Sequence, residues 1–337
     1  MPRNYDQYDN LFDQNDREAR RKGKAKPGYK PKKSQAALLA EVADSENVLE
    51  SGGDITYQPS RFESGWLMES LQPFFIQEQI VDVLAMVKGG KEANVYCCLP
   101  HPNTGTALLA AKVYRPHIHR QFRNDAAYKE GREVLTADGN AAKNTDQRLM
   151  RALNKKSGYG RQVAHTSWLM HEFGTLQTLY QRGASVPIPV ASAENALLMG
   201  YIGDETMPAP PLSSVRLEPA EAEALFNVVL RNIHLMLQAN LIHGDLSAYN
   251  ILYWEGRVTL IDFPQVMNPG GSRQARTILE RDITRVCDYF RAQGVERDPL
   301  RLTREMWKRY AEEDSELRAA DESRFELGEE DTKYYED

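Results

Sequence analysis

The stretch LIHGDLSAYNILYWEGRVTLIDFPQV, residues 241–266, sets two aspartates and an asparagine among apolar runs. Asp245 precedes Asn250 by five positions, and Asn250 precedes Asp262 by twelve. Between them NILYW and RVTLID read as two short strands around the turn EGR. A hairpin brings its own ends together, so Asn250 and Asp262 are expected side by side. Two oxygen-bearing side chains there suit a hard cation such as Mg²⁺, which prefers carboxylate and amide oxygens with phosphates completing its shell. Asp245, on the loop just before, is close but off the metal. A carboxylate in that place can orient an attacking hydroxyl or water and take its proton. Taken singly, each of the three reads as a cap or turn residue. The joint pattern H-G-D-L-x-x-x-N followed by apolar-I-D reverses that reading, and His243 is read as bracing the loop through hydrogen bonds.

Working upstream, Lys112 is a lone charge inside the apolar run ALLAAKVY (107–114), a costly placement unless the charge is paired and used. Glu172, in SWLMHEFGTLQTLY, is a carboxylate on a largely apolar helix that would pack behind that strand. Together they resemble the lysine–glutamate pair that holds the α- and β-phosphates of a nucleotide. VKGGKEANVY (87–96) adds two glycines and Lys91 at the turn into a strand, where backbone amides could cover phosphates. It lacks both the G-x-x-x-x-G-K-[ST] of a P-loop and a full G-x-G-x-x-G.

The elements around these motifs follow from periodicity. The folded part is expected to begin near Phe62, with Trp66, Leu67, Leu71, Phe74 and Phe75 at helical spacing and IVDVLAMV (80–87) continuing that apolar signal to a turn at Gly89-Gly90. ANVYCCL (93–99) and ALLAAKVY read as a hairpin turned by PHPNTG. Val163–Arg182 reads as a helix stopped at Gly183, with Trp168, Leu169, Phe173, Leu176 and Leu179 on its buried stripe. PIPVAS and ALLMGYI (196–202) read as strands. Pro219 opens a long helix buried through Leu225, Val228, Val229, Ile233, Met236 and Leu237. Helices are also expected over 275–291 and 299–312.

Composition bounds the rest. With 337 residues and 41% hydrophobic content the chain can fill a core, so a globular protein is expected. No window reaches the 18 or more apolar residues of a membrane span, and the start MPRNYDQYDN shows no apolar leader, so no membrane partner and a cytoplasmic location are expected. Cys97, Cys98 and Cys287 give neither a disulfide framework nor zinc spacing and read as reduced and structural. The net charge of −6 conceals opposed ends: residues 20–33 carry eight Lys/Arg and no acid, and 312–337 carry twelve acids against three bases. Residues 1–60 are therefore expected to be a disordered basic arm, either a solubilising tail or a contact for RNA or another polyanion.

In these residues the chain resembles the RIO family of atypical serine/threonine protein kinases. GGKEANVY is similar to that family's phosphate loop, AAKVYR to its lysine strand, MGYIGDETMPAPPL to its hinge, HGDLSAYNIL to its catalytic loop and IDFPQ to its metal-binding loop. The likeness runs from about Leu84 to Arg291. It implies an α+β, two-lobed protein-kinase-like fold with a small antiparallel-sheet N-lobe over 61–203, carrying a polar insertion at about 117–162. A reduced helical C-lobe over 204–311 and an acidic tail over 312–337 would follow. The resemblance implies Asp245 as catalytic base, Asn250 and Asp262 as Mg²⁺ ligands, and Asp262 also as acceptor of a transient phosphoryl group. ATP would then be held by Gly90, Lys91, Val95, Lys112, Glu172 and the hinge Met199, Gly200 and Ile202, with the backbone of Gly200 and Ile202 meeting adenine.

The expected activity is ATP- and Mg²⁺-dependent phosphoryl transfer, by a serine/threonine protein kinase or an ATPase acting in ribosome biogenesis, with a protein substrate or a ribosomal particle as partner. Two alternatives share part of the signature: a small-molecule kinase of the aminoglycoside or choline type, and a nucleotide-sensing scaffold. The loop reads H-G-D rather than H-R-D, so no arginine beside Asp245 in the chain is there to receive an activation-loop phosphate, and no A-P-E follows Asp262. Activation by loop phosphorylation is accordingly not expected. The sequence leaves the oligomeric state open.

Overall fold

The computed structural model describes residues 55–90, 92–115, 158–271 and 274–313. The expected arm up to residue 54, the bulk of the polar insertion (116–157), Lys91 of the glycine turn and the acidic tail from 314 lie outside the described residues. The described chain gathers into two compact units, one of residues 55–115, 158–173 and 187–209, the other of 174–186 and 210–313.

The first unit is a five-stranded antiparallel sheet flanked by helices. In chain order it contains α1 (Arg61–Ile76), β1 (Ile80–Gly89), β2 (Ala93–Pro100), β3 (Leu109–Tyr114), the amino-terminal part of α2 (Gly158–Gln181), β4 (Pro189–Ser192) and β5 (Ala196–Gly200). The strands lie in the order β1-β2-β3-β5-β4. Alternation along each strand sorts its side chains by face. Leu109, Ala111 and Val113 of β3, with Tyr96, Cys98, Ala196 and Leu198, pack against Leu67, Leu71 and Phe74 of α1. Tyr114 and Leu197 pack against Leu169 and Phe173 of α2. Full burial of each large aliphatic or aromatic side chain contributes about 1.5–3 kcal/mol.

One expectation is corrected here. IVDVLAMV does not extend the helix of α1; it is β1, pairing antiparallel with β2 from Ile80↔Pro100 to Gly89↔Asn94. An apolar run of this length fits either a buried helix or a strand, and pairing with the long β2 settles it as strand. Order also begins ahead of Phe62. Thr56 bonds Asp82 through its N–H (2.8 Å) and hydroxyl (2.6 Å), and Tyr57 N–H donates to Val83 O at 2.7 Å. Helix α2 starts at Gly158 rather than Val163 and ends with Gly183 at φ 73°, the left-handed position that glycine adopts without a Cβ clash.

The second unit is helical around one small hairpin. Its elements are the end of α2, α3 (Pro219–Gln238), β6 (Ile251–Trp254), β7 (Arg257–Leu260), α4 (Ala275–Ala292) and a helix, α5, over 299–313. Pro219 sits in the first turn of α3, where its missing N–H costs no helical bond. The face of α3 buries Leu225, Val229, Ile233, Met236 and Leu237 as expected, Val228 only in part, and also the polar Asn232. The Asn232 amide accepts from Ser185 N–H at 2.6 Å and donates to Val228 O at 2.8 Å. Among the described residues no helix is long and apolar enough to cross a membrane. All three cysteines are buried, and burial pushes the Cys287 thiol up to about 11 and that of Cys98 higher still, so neither carries much reactive thiolate at neutral pH.

Candidate active site

In the first unit β3 places Lys112 on the sheet face toward α2, directly opposite Val95 of β2 and Leu197 of β5. Its Nζ lies 2.7 Å from Glu172 Oε1, with the side chains 12% and 4% exposed. The Tyr114 hydroxyl donates to the other carboxylate oxygen, and the Lys112 ammonium stands 5.5 Å from the Tyr114 ring centre. An ion pair removed from water this far is expensive to break, because either charge left alone stays buried.

At the glycine turn, a Cβ on Gly90 would meet Ala93 O at 2.6 Å, so no other residue fits without moving backbone. Asn94, buried and not singled out by its sequence context, organises this turn. Its Oδ1 accepts from Gly90 N–H (3.3 Å) and from Arg115 Nε and Nη2 (3.2 and 3.0 Å), while its Nδ2 donates to the Tyr96 hydroxyl (2.9 Å). On the hinge, Met199 lies against the α2-side cluster. Gly200 N–H donates to Ile188 O at 2.8 Å, and Ile202 O accepts from Ala209 N–H at 2.9 Å.

In the second unit the hairpin forms with the register Ile251↔Leu260 to Trp254↔Arg257. Glu255 and Gly256 turn it at φ 47° and 75°, the positive-φ pair that suits a tight hairpin. Ile261 N–H donates to Asn250 O at 3.0 Å, so the chain enters and leaves the hairpin with Asn250 next to Ile261 and Asp262. Asp262 itself is held at φ 70°, unusual for a residue with a Cβ and a mark of a constrained site.

The Asn250 amide nitrogen donates to Asp245 O at 2.9 Å and lies 3.4 Å from Asp245 Oδ2. This bonding turns the amide so that Oδ1 is its atom available to a cation. With the backbone bringing residues 250 and 262 together, an amide oxygen and a carboxylate are chemically a fitting donor set for Mg²⁺, whose remaining positions are ordinarily filled by phosphate and water. Among the described residues no group of three or more His, Cys, Asp or Glu side chains is arranged around a metal position.

The loop that carries Asp245 is fastened on both sides. His243 Nε2 donates to Ile261 O at 3.1 Å, its Nδ1 lies 3.4 Å from Asp245 N, and its ring packs against Phe263 at 5.1 Å. Gly244, at φ 81°, donates its N–H to Asp282 Oδ2 at 2.8 Å, and its carbonyl accepts from Arg281 Nη2. Asp282 is 1% exposed, and burial raises its pKa, with His243, Arg281 and the Gly244 amide opposing the rise. An arginine reaches Asp245 from α4: Arg285 Nη1 lies 2.8 Å from Asp245 Oδ1. Neither Asp282 nor Arg285 was legible from the loop's own sequence. An acid on the apolar face of α4, four residues from Ile278 and from Val286, is the one available signal.

Sheet, helices and hairpin define a protein-kinase-like α+β fold. The chain belongs to the RIO domain family, which matches it over residues 94–302. It is 31% identical over 213 residues to the RIO-type serine/threonine-protein kinase Rio1 of Haloferax volcanii, covering 63% of this chain and 64% of that one. To serine/threonine-protein kinase RIO1 of Chaetomium thermophilum it is 31% identical, over 64% of this chain and 41% of that one. Against human serine/threonine-protein kinase RIO1 the identity is 30%, over 64% and 34%. The chain thus spans about a third to two thirds of the length of these relatives.

Proposed function

We propose that the protein transfers the γ-phosphoryl group of ATP to a serine or threonine hydroxyl of a protein substrate. The observation that carries this is the hairpin β6–β7, which sets Asn250 beside Asp262 while Asn250 also ties down the Asp245 loop. Asp245 takes the proton of the acceptor hydroxyl as that oxygen bonds to the γ-phosphorus. The bond from phosphorus to the β–γ bridging oxygen breaks, and its electron pair leaves with ADP. Asn250 Oδ1 and the Asp262 carboxylate would hold Mg²⁺, which when bound offsets charge on the phosphate oxygens. Lys112, steadied by Glu172, binds the α- and β-phosphates; the Gly90 turn with Lys91 and Val95 covers the nucleotide; adenine meets the hinge backbone at Gly200 and Ile202 beside Met199.

The relatives' names support the kinase reading. Buried thiols suit a reducing cytoplasm. The basic run 20–33 supports a polyanion contact, such as RNA in a ribosomal particle.

The test is incubation of the full chain with Mg²⁺ and γ-labelled ATP. Label on serine or threonine of protein is the expected result. Label released only as phosphate, or held on Asp262 as an acyl phosphate, would make the protein an ATPase instead. No consumption of ATP would overturn the proposal.

A further inference from the structure

One turn of α4 grips the loop of the candidate base at three points. Asp282 takes the N–H of Gly244, Arg281 takes its carbonyl, and Arg285 takes the carboxylate of Asp245. Residues 281, 282 and 285 are spaced i, i+1 and i+4, so they share one face of the helix. The first two contacts fix backbone. The third is different, because it acts on the side chain that the proposed chemistry uses.

The geometry points to Arg285 as a positioning residue for phosphoryl transfer, one that holds the Asp245 carboxylate in its working orientation; this rests on the function proposed above. Among the described residues Asp245 is the one polar partner of Arg285. The guanidinium occupies Oδ1 at 2.8 Å, and the other oxygen, Oδ2, has only the Asn250 amide at 3.4 Å, beyond a good hydrogen bond. Arg285 therefore assigns the two oxygens different tasks, Oδ1 anchored and Oδ2 open to an acceptor hydroxyl. Without it, a carboxylate that is 40% exposed turns about its χ angles, and a base must sit within hydrogen-bond reach of the proton it abstracts. Stability does not explain the pair. Ion pairs between side chains as exposed as these, 41% and 40%, contribute little to folding. The other use of such a contact would be to mask the base until substrate displaces the arginine. Masking and positioning predict opposite signs.

Steady-state turnover of ATP by the full chain with Mg²⁺ distinguishes them. Arg285→Ala should lower kcat by about tenfold to a hundredfold, the loss that follows a small misplacement of a reacting group, with KM for ATP within about twofold. Arg285→Lys should recover part of the rate, as should guanidinium added to Arg285→Ala below denaturing concentration. In an Asp245→Ala background, Arg285→Ala should have no further effect, because the arginine acts through that carboxylate. A raised kcat would establish masking and overturn the proposal. So would an unchanged kcat, a Arg285→Ala protein that fails to fold, or an equal loss in the Asp245→Ala background, which would make the role structural. An inactive wild-type chain would sink the functional reading and this inference together; an active one indifferent to Arg285 would sink this inference alone.

Discussion

Two ion pairs of nearly equal length, one in each unit, stand in opposite surroundings. Lys112–Glu172 spans 2.7 Å with both side chains nearly out of water, and Arg285–Asp245 spans 2.8 Å with both about two-fifths exposed. Distance is therefore a poor guide to what a pair does. In the first, removing either partner leaves a buried charge, so the pair is built into the fold and holds the lysine side chain in place. In the second, water competes for both charges, so the contact orders a side chain without supporting the fold.

The comparison breaks most sharply at Glu172. Glu172→Ala removes the acceptor shared by Lys112 and Tyr114 and should lower stability by about 3 kcal/mol or more, read by denaturant or thermal unfolding. A loss under about 1 kcal/mol would put this pair in the same class as the exposed one. Next in size is Asp262→Ala, which should weaken Mg²⁺-dependent ATP binding by about tenfold or more in titration calorimetry, with little change in metal-free binding. Equal affinity with and without Asp262 would remove it from the metal.

Asp282 sharpens the contrast through pH. Its folded pKa is raised, so folding favours its protonated form. The stabilisation it contributes is complete below the ordinary value of 3.8 and is lost as pH climbs through the raised value. Asp282→Asn should therefore flatten the part of the melting temperature profile that falls as pH climbs from 3.8 up to the raised value. A profile unchanged by the substitution would mean that Asp282 ionises as freely in the fold as outside it. The smallest expected effect is on stability in Arg285→Ala, within about 1 kcal/mol, measured by the same unfolding assays.

How far the site could be read from sequence follows from the range of its contacts. Asp245, Asn250 and Asp262 were legible because a hairpin of local turn chemistry joins them, Glu255-Gly256 supplying the positive φ values. Lys112 was legible as a charge inside an apolar strand, and its pairing with Glu172, 60 residues away, needed the resemblance as well. The strand β1 was misread because an apolar run with a single acid fits either period, and only its pairing with β2 decides. Asp282 and Arg285 act on the loop from 38 and 40 residues downstream. On the sequence of α4 they look like the charges of any amphipathic helix, so their role appears only once α4 is packed on the loop. Asn94 escaped notice for a related reason, since its side chain holds Gly90 and, 21 residues downstream, Arg115, contacts that appear only once the strands pair.

The most direct measurement on the central claim is ATP turnover and ATP affinity in Asp245→Ala, side by side. If Asp245 is the base, turnover should fall by about two orders of magnitude or more while Mg²⁺-ATP binding stays near that of the wild-type chain. Turnover equal to wild type would contradict the account.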